Sequence, residues 1–121
     1  MGKIQKFEDL EVWKNAMQIA VDVYKISSTG KLCKDYGLKD QITRAAISIS
    51  NNIAEGFEYD NNKDFVKFLR YAKGSCGEVR NIVNFLVLVD FIESPIHKEL
   101  SEKLISLSKT TLWIHKLSEK L

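Results

Sequence analysis

Residues 38–58, LKDQITRAAISISNNIAEGFE, constrain the fold more than any other stretch of the chain. Read as a helix, the segment carries Leu38, Ile42, Ala45, Ile49 and Ile53 on one side at spacings of three and four. Gln41, Ser48, Asn52 and Glu55 then form a polar stripe about a quarter turn away, with Arg44 on its flank. An apolar face beside a nearly continuous polar one suggests a helix whose second face also meets protein or ligand.

The rest of the chain repeats the helical period. In the first helix, expected over 9–28 with Asp9 as N-cap, the recurring residues are Leu10, Trp13, Met17, Ala20 and Tyr24. Phe7, just before the cap, is placed to fold back onto the first turn as a hydrophobic staple. Ser27, Ser28, Thr29 and Gly30 stop this helix, and residues 31–37 read as a connector. After the 38–58 helix, Asp60, Asn61 and Asn62 mark a turn and cap. A third helix over 62–91 shows an inward seam of Phe65, Leu69, Ala72, Cys76, Val79, Val83 and Leu86. Gly74 and Gly77 lie inside it at a cost of about 1 kcal/mol each relative to alanine, and the usual reason is close approach of another backbone. Ser94 as cap and Pro95 at the first helical position open a fourth helix over 95–119, with Ile96, Leu100, Leu104, Leu107, Thr111 and Ile114 recurring. The expected fold is all-α, an up-down-up-down antiparallel four-helix bundle. One domain over residues 1–121 suits this length, and one proline with six glycines leaves few helix breakers.

Residues 82–92, IVNFLVLVDFI, are apolar at nine of eleven positions, too many for one buried stripe. Phe85, Leu88 and Phe91 are therefore candidates for an interface between copies of the chain, since contiguous apolar patches are rare on monomers.

Little catalytic chemistry is available. His97 and His115 stand 18 positions apart, roughly 27 Å along a helix, so they cannot share a metal. No Glu-x-x-His pair occurs, Gly74-Ser75-Cys76-Gly77 lacks the lysine and strand of a phosphate loop, and Ser75 and Cys76 have no base nearby in sequence. Glu55 and Glu78 read as partners for Gln41, Arg44 or Arg80 rather than as an acid and base. Cys33, in the expected connector, and Cys76, in a helix, have no metal-type spacing and read as reduced thiols of a cytosolic protein. No apolar run reaches membrane-spanning length and MGKIQKF lacks a signal-peptide core, so the expected location is the cytoplasm, with no membrane partner. Neither a catalytic residue, a metal nor a cofactor is expected, and the chain does not read as an enzyme.

A net charge of +2, spread evenly along the chain, does not by itself imply a polyanion partner. Lys63, Lys67 and Arg70 nevertheless share the outward side of the third helix, with Lys73 and Arg80 adjoining. Together with Arg44 they are the candidate phosphate contacts of an RNA or DNA partner. Tyr59 and Tyr71 are positioned to add aromatic contacts.

FEDLEVWKNAMQIAVDVY at 7–24, YGLKDQITRAAISISNNIAEGFE at 36–58 and DFVKFLRYAKGSCGEVRN at 64–81 together resemble one family. It is the small four-helix-bundle family encoded by intervening sequences in bacterial large-subunit ribosomal RNA genes. The chain is also similar to the accessory variability determinant of diversity-generating retroelements, which binds nucleic acid and a reverse transcriptase. The family pattern is matched at Trp13, Tyr24, Gly37, Leu38, Gln41, Arg44, Ala45, Asn52, Glu55, Gly56, Phe68, Ser75 and Glu78. The resemblance implies an antiparallel bundle without enzymatic activity that assembles into a ring of five. It also implies nucleic acid, or a protein such as a reverse transcriptase, as partners. Where the family often has proline in the first connector this chain has Lys31-Leu32-Cys33-Lys34. Where it often has a basic residue after the Glu-Gly pair, this chain has Glu58, Tyr59 and Asp60. Two functions follow as expectations: an oligomeric accessory protein that binds nucleic acid through basic helix faces, and a structural or protein-interaction module that does not.

Overall fold

Among the described residues, three hold the left-handed backbone that punctuates the chain: Gly30 (φ 62°), Asp60 (φ 56°) and Asp90 (φ 62°). The computed structural model describes the backbone of residues 4–120 and the side chains of residues 4–111. The side chains of Ile114 and His115 lie outside the described residues, as do residues 1–3. Among the described residues, a 3-10 turn at Phe7–Asp9 precedes five helices: α1 (Glu11–Ser27), α2 (Gly30–Lys34), α3 (Tyr36–Glu58), α4 (Asn62–Leu88) and α5 (Ser94–Lys120). Among the described residues there is no strand.

The packing is cyclic. Helix α1 lies on α3, α3 on α4, α4 on α5, and α5 closes more loosely onto α1, while the short α2 seals the turn between α1 and α3. The core is a column of Val, Ile, Leu and Ala with Cys76 from α4. Each buried Leu or Ile stabilises the fold by about 1.5–3 kcal/mol relative to exposure, well above propensity differences between helix formers, so burial decides helix orientation.

That preference explains a correction in α1. Its buried stripe is Val12, Ala16, Ile19, Ala20 and Val23. The expected Trp13 and Met17 are half-buried on its flank, and Tyr24 is exposed. Small and branched residues permit the closer approach to α3, and the larger set lies at the edge. There Phe7 meets Trp13 at 5.5 Å between ring centroids, the staple expected from sequence.

The helix ends differ from expectation for local reasons. Asp9 belongs to the 3-10 turn, and Leu10 occupies the N-cap position of α1 without a side-chain cap bond. The expected connector contains α2, with Cys33 inside it, so Gly30 uses its positive φ to start α2 rather than to cap α1. Asp35 caps α3, accepting the Leu38 N–H at 3.1 Å, and α3 therefore starts two residues early. Helix α5 begins at Ser94 itself, with the His97 N–H donating to Glu93 O at 3.1 Å.

The end of α4 has the largest consequence. Asp90 takes the left-handed position, the Phe91 N–H bonds Leu86 O at 2.8 Å, and the Asp90 N–H bonds Val87 O at 3.2 Å. This is a Schellman stop, in which a residue two past the cap folds back onto the helix. It ends α4 at Leu88 and turns Phe91 onto the core.

Candidate nucleic-acid interface

The junction of α3 and α4 is only three residues long, so the last turn of α3 lies beside the first turns of α4. Asp60 terminates α3 in the left-handed region, and Asn61 caps α4 by accepting the Asp64 N–H at 2.8 Å. Gly56 allows the close approach. A Cβ built there would lie 2.7 Å from Phe68 Cβ and 3.4 Å from Phe65 Cα. Further along, Ser48 Oγ and Ser75 Oγ are 2.9 Å apart. These two contacts, 56 with 68 and 48 with 75, make α3 and α4 antiparallel.

That approach assembles an aromatic surface. Tyr59, just past α3, stacks on Phe68 with centroids 5.3 Å apart and planes 13° from parallel. Tyr71 meets Phe68 edge-on at 5.7 Å, and Lys67 Nζ stands 5.2 Å from the Phe68 centroid. Phe68 is half-buried, whereas Tyr59 is 58 % and Tyr71 52 % exposed. Tyr59 and Tyr71 are the aromatic contacts expected from sequence, and Phe68, expected only as a position of the family pattern, is the ring that joins them. The Phe68–Tyr71 spacing of three was the available signal.

Lys63, Lys67 and Arg70 do share the outward side of α4, around a shallow depression that also includes Val66 and Tyr71. Asp64 lies at the same end, its carboxylate accepting from the Asn61 amide at 2.8 Å. The other expected cations are elsewhere. Arg44, on α3, donates to Asp40 at 2.8 Å. Lys73 is half-buried close enough to Cys76 to affect its titration, and Arg80 is exposed ten residues beyond Arg70, about 15 Å along the axis.

The polar stripe of α3 divides in two. Ser48 and Asn52 are half-buried, and the Asn52 amide donates to Ser48 O at 2.8 Å and Ser48 Oγ at 3.1 Å. With the Ser75 contact, this network fixes the register of α3 on α4. Gln41 and Glu55 are exposed. Ser75 is hydrogen-bonded to Ser48, and burial pushes the Cys76 thiol up to about 11 despite the opposing charge of Lys73. His97 Nε2 lies 2.7 Å from Asn84 Oδ1. Among the described residues, no three His, Cys, Asp or Glu side chains group as a metal site would require, and no helix is long and apolar enough to cross a membrane.

At the far end of the same helix, Phe85 is 48 % and Leu88 81 % exposed, while Phe91 lies against the core, apart from them. Between the two ends, Gly74 and Gly77 are exposed, and among the described residues no other atom lies within 4 Å of a Cβ built at either. The close approach expected at these glycines is absent among the described residues.

Comparison with curated proteins finds no match. Among solved structures, the fold is similar to a protein of unknown function from the S23 ribosomal protein family of Bacteroides thetaiotaomicron, with a TM-score of 0.79. The two chains share 22 % identity over 87 % of this chain and 98 % of that one. The family model described as 23S rRNA-intervening sequence protein matches residues 8–112, from the N-terminal turn into α5 and across the whole α3–α4 junction. The chain belongs to the 23S rRNA-intervening sequence protein family.

Proposed function

We propose that this chain is a non-enzymatic, cytoplasmic accessory protein that binds nucleic acid through the outward face of α4 and works as an oligomer. The observation that carries the reading is the gathering of Lys63, Lys67 and Arg70 around one depression beside exposed tyrosines. Phosphate recognition needs positive charge and donors at chain spacing, and this face supplies both. The cyclic packing order fits an up-down-up-down bundle of α1, α3, α4 and α5, with α2 as a turn element. In a ring, each copy would present the same face, so weak sites would act together by avidity. The role of the bundle is then to hold that face on a rigid helix.

The test is a titration of the intact protein with structured RNA and duplex DNA at roughly 50 mM salt, where non-specific binding is normally detectable. Replacing Lys63 and Lys67 with alanine is expected to lower affinity for every sequence and to flatten the salt slope by about 1 per lost phosphate contact. No binding to either probe at tens of micromolar protein rejects the reading.

A second reading, a protein-interaction module, is favoured by the exposure of Phe85 and Leu88. The same patch is the candidate surface for self-association. Light scattering that returns 13.9 kDa at micromolar concentration would remove the oligomer from both readings. A larger mass that falls to that value in a Leu88→Lys protein supports assembly through this patch.

A further inference from the structure

We propose that the Tyr59–Phe68–Tyr71 surface, flanked by Lys63 and Lys67, binds single-stranded nucleic acid by stacking unpaired bases on the tyrosine rings. The proposal rests on the nucleic-acid reading above and adds the strand class. Three observations carry it. First, Tyr59 has one ring face against Phe68 and stays 58 % exposed, and Tyr71 meets Phe68 only through an edge contact and stays 52 % exposed. Both present aromatic area that the fold does not use. Bases in a duplex are already stacked on each other, so only unpaired bases can use such area.

Second, cations adjoin the rings: Lys63 and Lys67 line the same depression as Tyr71. Lys67 reaches over Phe68, and Lys63 precedes it by one turn, about 6 Å along the helix. Two ammonium groups so placed can each take a phosphate while the adjoining bases reach the tyrosines. Third, Tyr59 also lines a separate depression with Glu55 and Glu58, which holds neither lysine. Those carboxylates repel a phosphate chain, which steers the strand to the depression that holds the lysines.

The experiment uses the full chain and four labelled probes: a strand of about 20 nucleotides without self-complementarity, as RNA and as DNA, and the duplex of each, at roughly 50 mM salt. Strands are expected to bind more tightly than duplexes. Tyr59→Leu and Tyr71→Leu, which keep apolar bulk, are each expected to weaken strand binding about five-fold or more while duplex binding and the salt slope hold. The double Tyr59→Phe/Tyr71→Phe protein is expected to bind strands as the parent does, because the ring and not the hydroxyl makes the stack. Phe68 is left in place, since its Cβ lies against Gly56, and circular dichroism checks that each variant is folded. A loss confined to RNA or to DNA names that strand as the ligand. Strand binding unchanged in both leucine variants, or weakened equally for duplexes, overturns the stacking site. If Lys63→Ala/Lys67→Ala then still lowers binding, the phosphate reading stands without it, and no binding of the parent to any probe rejects both.

Discussion

Glycines occupy opposite situations on the two sides of the α3–α4 pair. In the seam, Gly56 has Phe68 and Phe65 pressed against it so closely that a Cβ would fall 2.7 Å from Phe68 Cβ. On the outward face of α4, Gly74 and Gly77 have open space around them among the described residues. All three cost helix stability relative to alanine, yet only Gly56 returns that cost inside the chain, by letting two backbones approach. A glycine inside a helical pattern therefore signals closeness only once a neighbour is known. The outward pair lies between the basic, aromatic end of α4 and its apolar end, on the face for which we propose partners.

The most damaging change should be Gly56→Ala. Phe68 Cβ is fixed to the α4 backbone and cannot swing away, so the helices must separate, at a net cost of about 2 kcal/mol. Urea denaturation checks this, and an unchanged midpoint would erase the contrast between the two faces. Ser75→Ala removes a side-chain bond across the seam and leaves Ser48 with Asn52, which should cost about 1 kcal/mol. Gly77→Ala should act in the other direction, raising stability by roughly 0.5–1 kcal/mol in dilute solution, because nothing blocks the added methyl. If a second copy packs on that face, the same variant should also weaken assembly in light scattering, which sharpens the comparison. Loss of stability in Gly77→Ala would show that the outward glycine is constrained within the chain after all.

The smallest effect is expected at the looser α1–α5 seam. There Lys103 Nζ donates to Asp22 at 2.8 Å and lies 3.2 Å from Glu99, and the bond to Asp22 raises its pKa above the ordinary lysine value. Lys103 is partly exposed, so Lys103→Met should shift stability by about 0.5 kcal/mol or less, and less still in high salt. The sign with pH follows from the raised value: the contribution is full below the unfolded-state lysine pKa and is lost as pH rises through the folded one. Cys76 adds a term of the same sign. Its thiol is held near 11 in the fold against 9.0 for an ordinary cysteine, so stability should fall as pH rises through that interval. Thermal melts across that range check both, and native alkylation should reach half-buried Cys33 well before buried Cys76.

Much of this was legible in the residues. The period of three and four in α3, α4 and α5 located the buried residues, because burial of one stripe is what a helix in a bundle must achieve. The turn and cap cluster at residues 60–62, within which Asn61 is the cap, and the Phe7 staple were readable because both are local. The errors came where two local patterns competed. Helix α1 carries two overlapping apolar stripes, and only the width of the gap facing α3 selects Val12, Ala16, Ile19 and Val23 over the larger set. Position 91 looked like one more apolar residue of α4, but Asp90 entering the left-handed region folds it onto the core, and that choice depends on there being a core to receive it.

For the candidate site the division is similar. Lys63, Lys67 and Arg70 fall on one side of any helix, since spacings of four and three residues place them there whatever the surroundings. The company they keep is a tertiary matter. Tyr59 and Phe68 belong to different elements, and the distance between them is set by Gly56 and by the register that Ser48, Asn52 and Ser75 impose. Sequence alone determined the helices and which side of each is polar, because those depend on period and on residues within a turn of each other. Only the tertiary structure decided which cations stand beside aromatic rings and which pair or turn aside. Those outcomes depend on how closely two backbones pack, a distance that no single helix contains.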